Sequence, residues 1–351
     1  MAVVRYGIIG CGAIGQRRHI PEAAANPNAK LVALADANKE RVEELGKKYG
    51  ARPYTDHRQL IASPDVDAVV VAGPNATHAP MTLEALQAGK HVLCEKPMAT
   101  SRDDAKAMID TSKKVGKFLM IGLNQRLMGP HQKAKEVLQS GRLGKVIAFR
   151  TAFKHPGPEG WSVDKNKSWF FQKQAAFMGV SGDLGVHKVD LMRWLLGQEF
   201  TEVGGFISTL HKCDPEGKPL ALDDNAFLIL KTKQGVVGSM ILSWTNYGTE
   251  ENYTVLYCEK GVLSLGLDPS ANVIVDCEGK KEGFNAGEMA TNLKQTNSGI
   301  IDLFTKSILE NKPPEINGYE GYQSLDVILT AMEASQEGKT LKVKGWEGAR
   351  A

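Results

Sequence analysis

The chain is most tightly constrained by Gly10-Cys11-Gly12-Ala13-Ile14-Gly15, which follows the apolar run 3–9 directly and opens a helical pattern at Ile14. A GxGxxG run in that setting is a strand–turn–helix that receives a pyrophosphate. The first glycine permits the tight turn, the second lets the backbone approach the ligand, and the third allows close helix–strand packing. The first helical turn, with Ala13 and Ile14, presents unpaired N–H groups to the phosphate charge. Gly10, Gly12, Ala13, Ile14 and Gly15 are therefore the first cofactor-binding candidates. Asp36 closes the second apolar run, 31–35, at the distance where a carboxylate accepts the ribose hydroxyls of a dinucleotide and repels a 2′-phosphate. It is equally placed to cap the helix starting near Asn38. Residues 37–39 contain no arginine, only Lys39, so NAD is expected over NADP.

Short apolar runs at 3–9, 31–35, 68–72, 91–94 and 118–121 alternate with helical patterns at 14–26, 39–49, 77–88 and 101–115. Pro21 interrupts the first of these helices. Continuous rather than alternating apolar runs suit parallel strands covered on both faces. The texture changes after Gly122. A helix near 131–139 and a strand at 145–153 precede a Pro/Gly-containing loop, 155–167, and the cluster Trp169-Phe170-Phe171. A helix through 183–197 follows, and then alternating segments at 226–231, 236–244, 253–257, 262–265 and 272–276. The pattern closes with helices at 298–310 and 319–337. The expected fold is α/β: a Rossmann dinucleotide-binding domain over 1–123, then an α+β domain over 124–351 with a large open, mainly antiparallel sheet. That second domain is expected to bind substrate and to build a homodimer or homotetramer through the sheet. Trp194 and Phe227 read as core.

A net charge of +3 over 351 residues, with no basic run interleaved with aromatics, argues against nucleic acid as a partner. No window approaches the roughly 18 apolar residues of a membrane span, and the N-terminus lacks a signal-peptide pattern. Five scattered cysteines without CxxC spacing fit a reducing, cytoplasmic setting better than disulfides or zinc. No metal site is expected, because Asp183 and His187 with His211 or Cys213 match no ligand spacing.

Three features stand outside packing logic. Glu95-Lys96-Pro97 follows a strand, which places Lys96 at the carboxyl edge of the sheet, where doubly wound folds bind ligands. Asp183 and His187 are four apart and share a helix face. His78, after Gly73-Pro74-Asn75, lies in another loop at that edge. Each has a bland alternative: a helix N-cap for Asp183, a core histidine for His187, a solvated lysine for Lys96. With the glycine loop, Pro74-Asn75, Glu95-Lys96-Pro97, Gly122-Leu-Asn124-Gln-Arg126 and Gly182-Asp183-Leu-Gly185-Val-His187 with Asp190, the chain resembles the Gfo/Idh/MocA oxidoreductase family over nearly its whole length. The resemblance implies that Lys96, Asp183 and His187 form the reacting site and that Pro74, Asn75, His78, Glu95 and Lys96 line the nicotinamide side. Gly179-Val-Ser181-Gly182 stands where many members carry a longer glycine run, which leaves substrate identity open.

The chemistry of these residues is coherent. His187 suits removal of a hydroxyl proton. Asp183 is placed to hold the imidazole tautomer or to bind a neighbouring hydroxyl, and Lys96 to stabilise a developing alkoxide. Arg126, Lys154, His155, Trp161 and Trp169 are further substrate-binding candidates, joining Lys96, Asp183 and His187. The expected activity is hydride transfer between nicotinamide and a secondary alcohol or ketone of a sugar or cyclic polyol. A redox-neutral NAD-dependent glycoside hydrolase or lyase, and a non-catalytic NAD(P)-sensing regulator, use the same fold and remain open at this point.

Overall fold

The computed structural model describes residues 3–214, 216–289 and 297–346. Its first sheet holds β1 (Val4–Ile9), β2 (Ala29–Ala35), β3 (Arg52–Tyr54), β4 (Ala68–Val71), β5 (His91–Cys94) and β6 (Leu119–Ile121). They are ordered β3-β2-β1-β4-β5-β6, all parallel. Strand order reverses between β1 and β4, so the loops leaving their carboxyl ends diverge and open a crevice there. Connecting helices are α1 (Ile20–Ala25), α2 (Lys39–Tyr49), α3 (His57–Ile61), α4 (Asn75–Gln87) and α5 (Arg102–Val115). Pro21 does not interrupt a helix as expected; it sits in the first turn of α1, where its missing N–H has no intrahelical role, behind a π-helical turn at Gly15–His19.

The second half begins with α6 (Gly129–Gln139), β7 (Val146–Lys154) and the short α7 (Lys173–Ala176). A π-helical turn at Ser181–Gly185 leads into α8 (Val186–Leu196). Strands β8 (Phe200–Ser208), β9 (Asn225–Thr232), β10 (Val237–Ser243), β11 (Glu251–Cys258), β12 (Gly261–Asp268), β13 (Ala271–Cys277) and β14 (Lys280–Phe284) follow. With β7 and a final β15 (Leu341–Lys342) they form a nine-stranded sheet, antiparallel except where β7 and β10 lie parallel at its centre. One face carries α8 and α10 (Gly318–Glu337). On the other, cross-strand pairing aligns Phe206, Phe227, Ile241, Ala152 and Tyr253 in one row. Phe206 is 74% and Phe227 45% exposed, so Phe227 is a face residue rather than core. Trp194 is half-buried against the core.

The chain returns to the first sheet at its end. In α9 (Ile300–Glu310), Thr305 shares a hydrogen bond with buried Tyr6, and just before it Ser298 Oγ donates to Glu22. The main-chain N–H of Ile121 donates to Ile316, and α10 packs on both α5 and β8. Both sheets are thereby tied to one helix, which also packs on α8.

Candidate active site

The glycine loop has the geometry its sequence demands. Gly10 has φ +99°, and a Cβ there would meet the Ala72 carbonyl at 2.4 Å. A Cβ on Gly15 would lie 2.3 Å from the Gly10 carbonyl, whereas the space over Gly12 is open to 4 Å. The close contacts serve packing, and the open one leaves backbone free for a phosphate. Asp36 braces the loop: Oδ2 accepts from the Cys11 N–H at 2.7 Å and Oδ1 from the Asn38 N–H at 2.8 Å. Asn38, not Asp36, caps α2 by accepting from the Arg41 N–H. Each Asp36 oxygen keeps a lone-pair direction for a ribose hydroxyl.

Beyond the loop lies a cavity lined by Gly12, Ala13, Ile14, Lys96, Asp183 and His187, among others. β5 delivers Lys96 and the π-turn before α8 delivers Asp183, so the candidate reacting groups come from both halves of the chain. Lys96 Nζ donates to Asp183 Oδ1 and to its main-chain carbonyl, each at 2.9 Å. The Trp244 indole N–H donates to Asp183 Oδ2 at 3.1 Å. Asp183 therefore holds Lys96 rather than the His187 imidazole, one of the two tasks its position suggested. It lies inside the helical run and not at an N-cap. His187 is buried, and its Nδ1 has no partner. Burial, and then the Lys96 charge, push its pKa well below the usual 6.5, so the imidazole is neutral. A neutral, unpartnered imidazole beside a held ammonium can take a proton while the ammonium steadies an oxyanion.

The model of the Gfo/Idh/MocA oxidoreductase family, NAD-binding Rossmann fold, matches residues 4–123, and that of the family's C-terminal domain matches 131–264. An inositol 2-dehydrogenase from Rubrobacter xylanophilus is 31% identical over 352 residues, covering 98% of this chain and 94% of the relative. The chain belongs to the Gfo/Idh/MocA family. A levoglucosan dehydrogenase from Pseudarthrobacter phenanthrenivorans is 32% identical over 282 residues, 72% of this chain and 70% of that one. A solved levoglucosan dehydrogenase in complex with NADH and L-sorbose superposes with a TM-score of 0.86 at 26% identity, covering 99% of this chain and 100% of that one.

The residues implied by membership in this oxidoreductase family fall into two groups. Asn75, His78, Glu95 and Lys96 line the reacting cavity, while Pro74 lies in the adjoining cavity that runs past Gly10 to Asp36. His78 bridges the Pro97 and Gly73 carbonyls at 2.7 and 2.9 Å, tying two loops together. Asn75 donates to the Ala176 carbonyl across the two halves. The buried Glu95 accepts from His19 at 2.7 Å; burial would raise its pKa, but that bond and the Arg18 and Lys96 charges hold it well below the usual carboxylate range.

Of the further substrate candidates, Trp161 and Trp169 line the reacting cavity and Arg126 and Lys154 do not. Arg126 is buried against Asp190 and Glu320, whose carboxylates consume its charge, and it lines a separate cavity with Arg193 and Trp194. Lys154 pairs with Glu251 at 2.7 Å on the neighbouring strand. Lys39 is paired with Glu43; Arg41, two residues further along α2, approaches Asp36 instead. Sequence reasoning missed Arg41, and it located Trp244 and Phe170 only as parts of loops without assigning either a role. Those two carry no motif, whereas Arg41 was legible as a residue on the turn of α2 that faces back to β2.

Among the described residues no group of three His, Cys, Asp or Glu could hold a metal ion, and no helix is long and apolar enough to cross a membrane.

Proposed function

We propose that this oxidoreductase exchanges a hydride between NAD and a secondary alcohol or ketone of a cyclic polyol or sugar, with Lys96, Asp183 and His187 as its reacting residues. The carrying observation is the buried His187, its Nδ1 without a partner, lining one cavity with the Lys96–Asp183 pair and the glycine loop. The open approach over Gly12 and the braced Asp36 fit a dinucleotide, which supplies the hydride acceptor in oxidation. As the hydride leaves the substrate carbon, His187 takes the hydroxyl proton and Lys96 steadies the oxygen as a C=O bond forms; reduction reverses both transfers. Asp183 holds Lys96 in place through its carboxylate and its main-chain carbonyl. Trp161 and Trp169, with Phe170 stacked on Trp169, offer apolar faces for the C–H side of a sugar ring.

Asp36 supports NAD over NADP, and the dehydrogenases named above support the substrate class. In this reading 1–123 is the nucleotide-binding domain and 124–351 binds substrate and oligomerises through the exposed row around Phe206 and Phe227. Five free cysteines fit a cytoplasmic location. The test is a panel of inositols, hexoses and glycosides with NAD and NADP separately, followed by absorbance of the reduced cofactor. Turnover with ring polyols and NAD is expected; a flat panel in both directions overturns the reading, and bond cleavage without net reduced cofactor replaces it with a redox-neutral one.

A further inference from the structure

The cavity that runs from the glycine loop past Asp36 is lined by four charged or titratable side chains: Asp36, Arg41, His57 and Asp164. Three come from the Rossmann half; Asp164 reaches in from the loop between β7 and α7. That loop is fastened to the Rossmann half a second time, where Arg17 donates to the Trp161 carbonyl at 2.9 Å. His57 is occupied by Glu84 at 2.9 Å. Arg41 is left as the cation nearest Asp36, and its main chain is fixed by the Asn38 cap of α2. Its guanidinium lies between two carboxylates, with Nη2 at 2.7 Å from Asp164 Oδ1 and Nη1 at 3.6 Å from Asp36 Oδ1.

Asp36 marks where the adenosine ribose sits. A 2′-phosphate at that ribose brings a charge of roughly −1.5 to −2 and needs an arginine whose donors are available. Here the arginine's charge is already matched by Asp164, and the second carboxylate leaves the local balance negative. A bare 2′-hydroxyl meets no such penalty, because Asp36 accepts from it. We infer that Asp164 is a cofactor-specificity residue of this chain, favouring NAD over NADP by keeping Arg41 engaged. The inference rests on the reading of the groove as a dinucleotide site. It adds that the choice is made by a residue outside the Rossmann half.

The test is equilibrium titration of intrinsic tryptophan fluorescence with NAD+ and NADP+ separately, without substrate, because Trp169 lines the groove and Trp161 the adjoining cavity. Asp164→Asn is expected to raise NADP+ affinity relative to NAD+ about tenfold, a change of about 1.4 kcal/mol. Asp164→Glu should keep the parent ratio, and adding Arg41→Met to Asp164→Asn should remove the gain. A ratio within about twofold of the parent in Asp164→Asn, or an equal gain with Arg41→Met present, overturns the role given to Asp164. Should Asp164→Asn fail to fold by circular dichroism, Arg41→Met alone decides. An engaged guanidinium predicts less than about threefold loss of NADP+ affinity, and a loss beyond about tenfold overturns the inference. If the parent binds neither dinucleotide, the oxidoreductase reading fails as well; if it binds both and only the Asp164→Asn ratio is unmoved, that reading survives.

Discussion

Lys96 donates from one ammonium to two oxygens of one residue, the main-chain carbonyl and the carboxylate of Asp183. The carbonyl bond fixes where Nζ stands, and the carboxylate, itself held by Trp244, supplies the counter-charge. Lys96→Met is therefore expected to lower kcat by about 10²–10³ while leaving NAD+ affinity within about threefold, the pattern of a lost oxyanion contact. Steady-state kinetics beside cofactor titration check it. A rise in KM with kcat unchanged would move Lys96 from chemistry to substrate binding.

The pH profile tests His187. Its depressed pKa, caused by burial and then by the Lys96 charge, means that the base is already unprotonated below the pH where an ordinary histidine titrates. For alcohol oxidation kcat/KM should stay within about threefold from about pH 8 to pH 6, with no inflection near 6.5. His187→Ala should abolish hydride transfer while sparing cofactor affinity. An inflection near 6.5 in the parent profile would show an ordinary, solvated imidazole instead.

What could be read from the sequence followed from how local each constraint is. The glycine loop, Asp36 and the continuous runs of β1, β4 and β5 are set within a few residues, and their places in the fold follow from chain order. β8 was not legible, because Gly204 and Gly205 break the strand pattern. The reason lies across the sheet, where a Cβ on Gly205 would meet the Phe227 carbonyl at 2.0 Å. β3 is three residues long and includes Pro53, too little for a periodic signal. Phe227 looked like core because alternation reports two faces without saying which one is covered. Arg126 looked like a substrate residue because its partners, Asp190 and Glu320, lie far along the chain and give no local sign.

Arg126 instead bears on stability. Its side chain is 5% exposed, and that of Asp190 is 1%. Removing the cation leaves the buried Asp190 carboxylate with only the longer contacts to Arg193 at 3.8 Å and Ser324 at 3.5 Å, so Arg126→Met should cost about 3 kcal/mol in denaturant unfolding. Substrate KM in the folded fraction should change less than about threefold. Arg126→Met combined with Asp190→Leu should recover part of that stability, since neither charge then remains. A raised KM with unchanged stability would return Arg126 to the substrate site.

The exposed row on the nine-stranded sheet carries the expected oligomer. Phe206→Glu and Phe227→Glu place charges opposite one another in the pairing register, at the most exposed end of that apolar row. Sedimentation velocity should show a shift to a slower species with the far-ultraviolet circular dichroism unchanged. An unshifted oligomer would place the interface elsewhere, and a parent that sediments as a monomer would remove the proposal altogether.

Acid stability follows from the buried histidines. Burial, then the Lys188 charge, lower His131 to about 3, and its Nε2 has no partner, while burial and then Lys117 lower His91 to about 4. Because these folded-state values lie below the unfolded value of about 6.5, the unfolded chain binds the proton first as pH falls. Above about pH 7.5 these histidines leave stability independent of pH. Below about 6.5 each contributes a loss approaching roughly 1.4 kcal/mol per pH unit, continuing until its folded-state value is reached. The thermal midpoint should therefore decline steadily from about pH 6.5 to 4.5. His131→Leu gives up the hydrogen bond between Nδ1 and the Gln125 carbonyl, so it should be less stable than the parent at pH 8 by about 1 kcal/mol. Its decline with acid should nonetheless be shallower, because one proton-binding difference is gone. Parallel slopes for parent and variant between about pH 6 and 4.5 would show that His131 is already protonated in the folded chain.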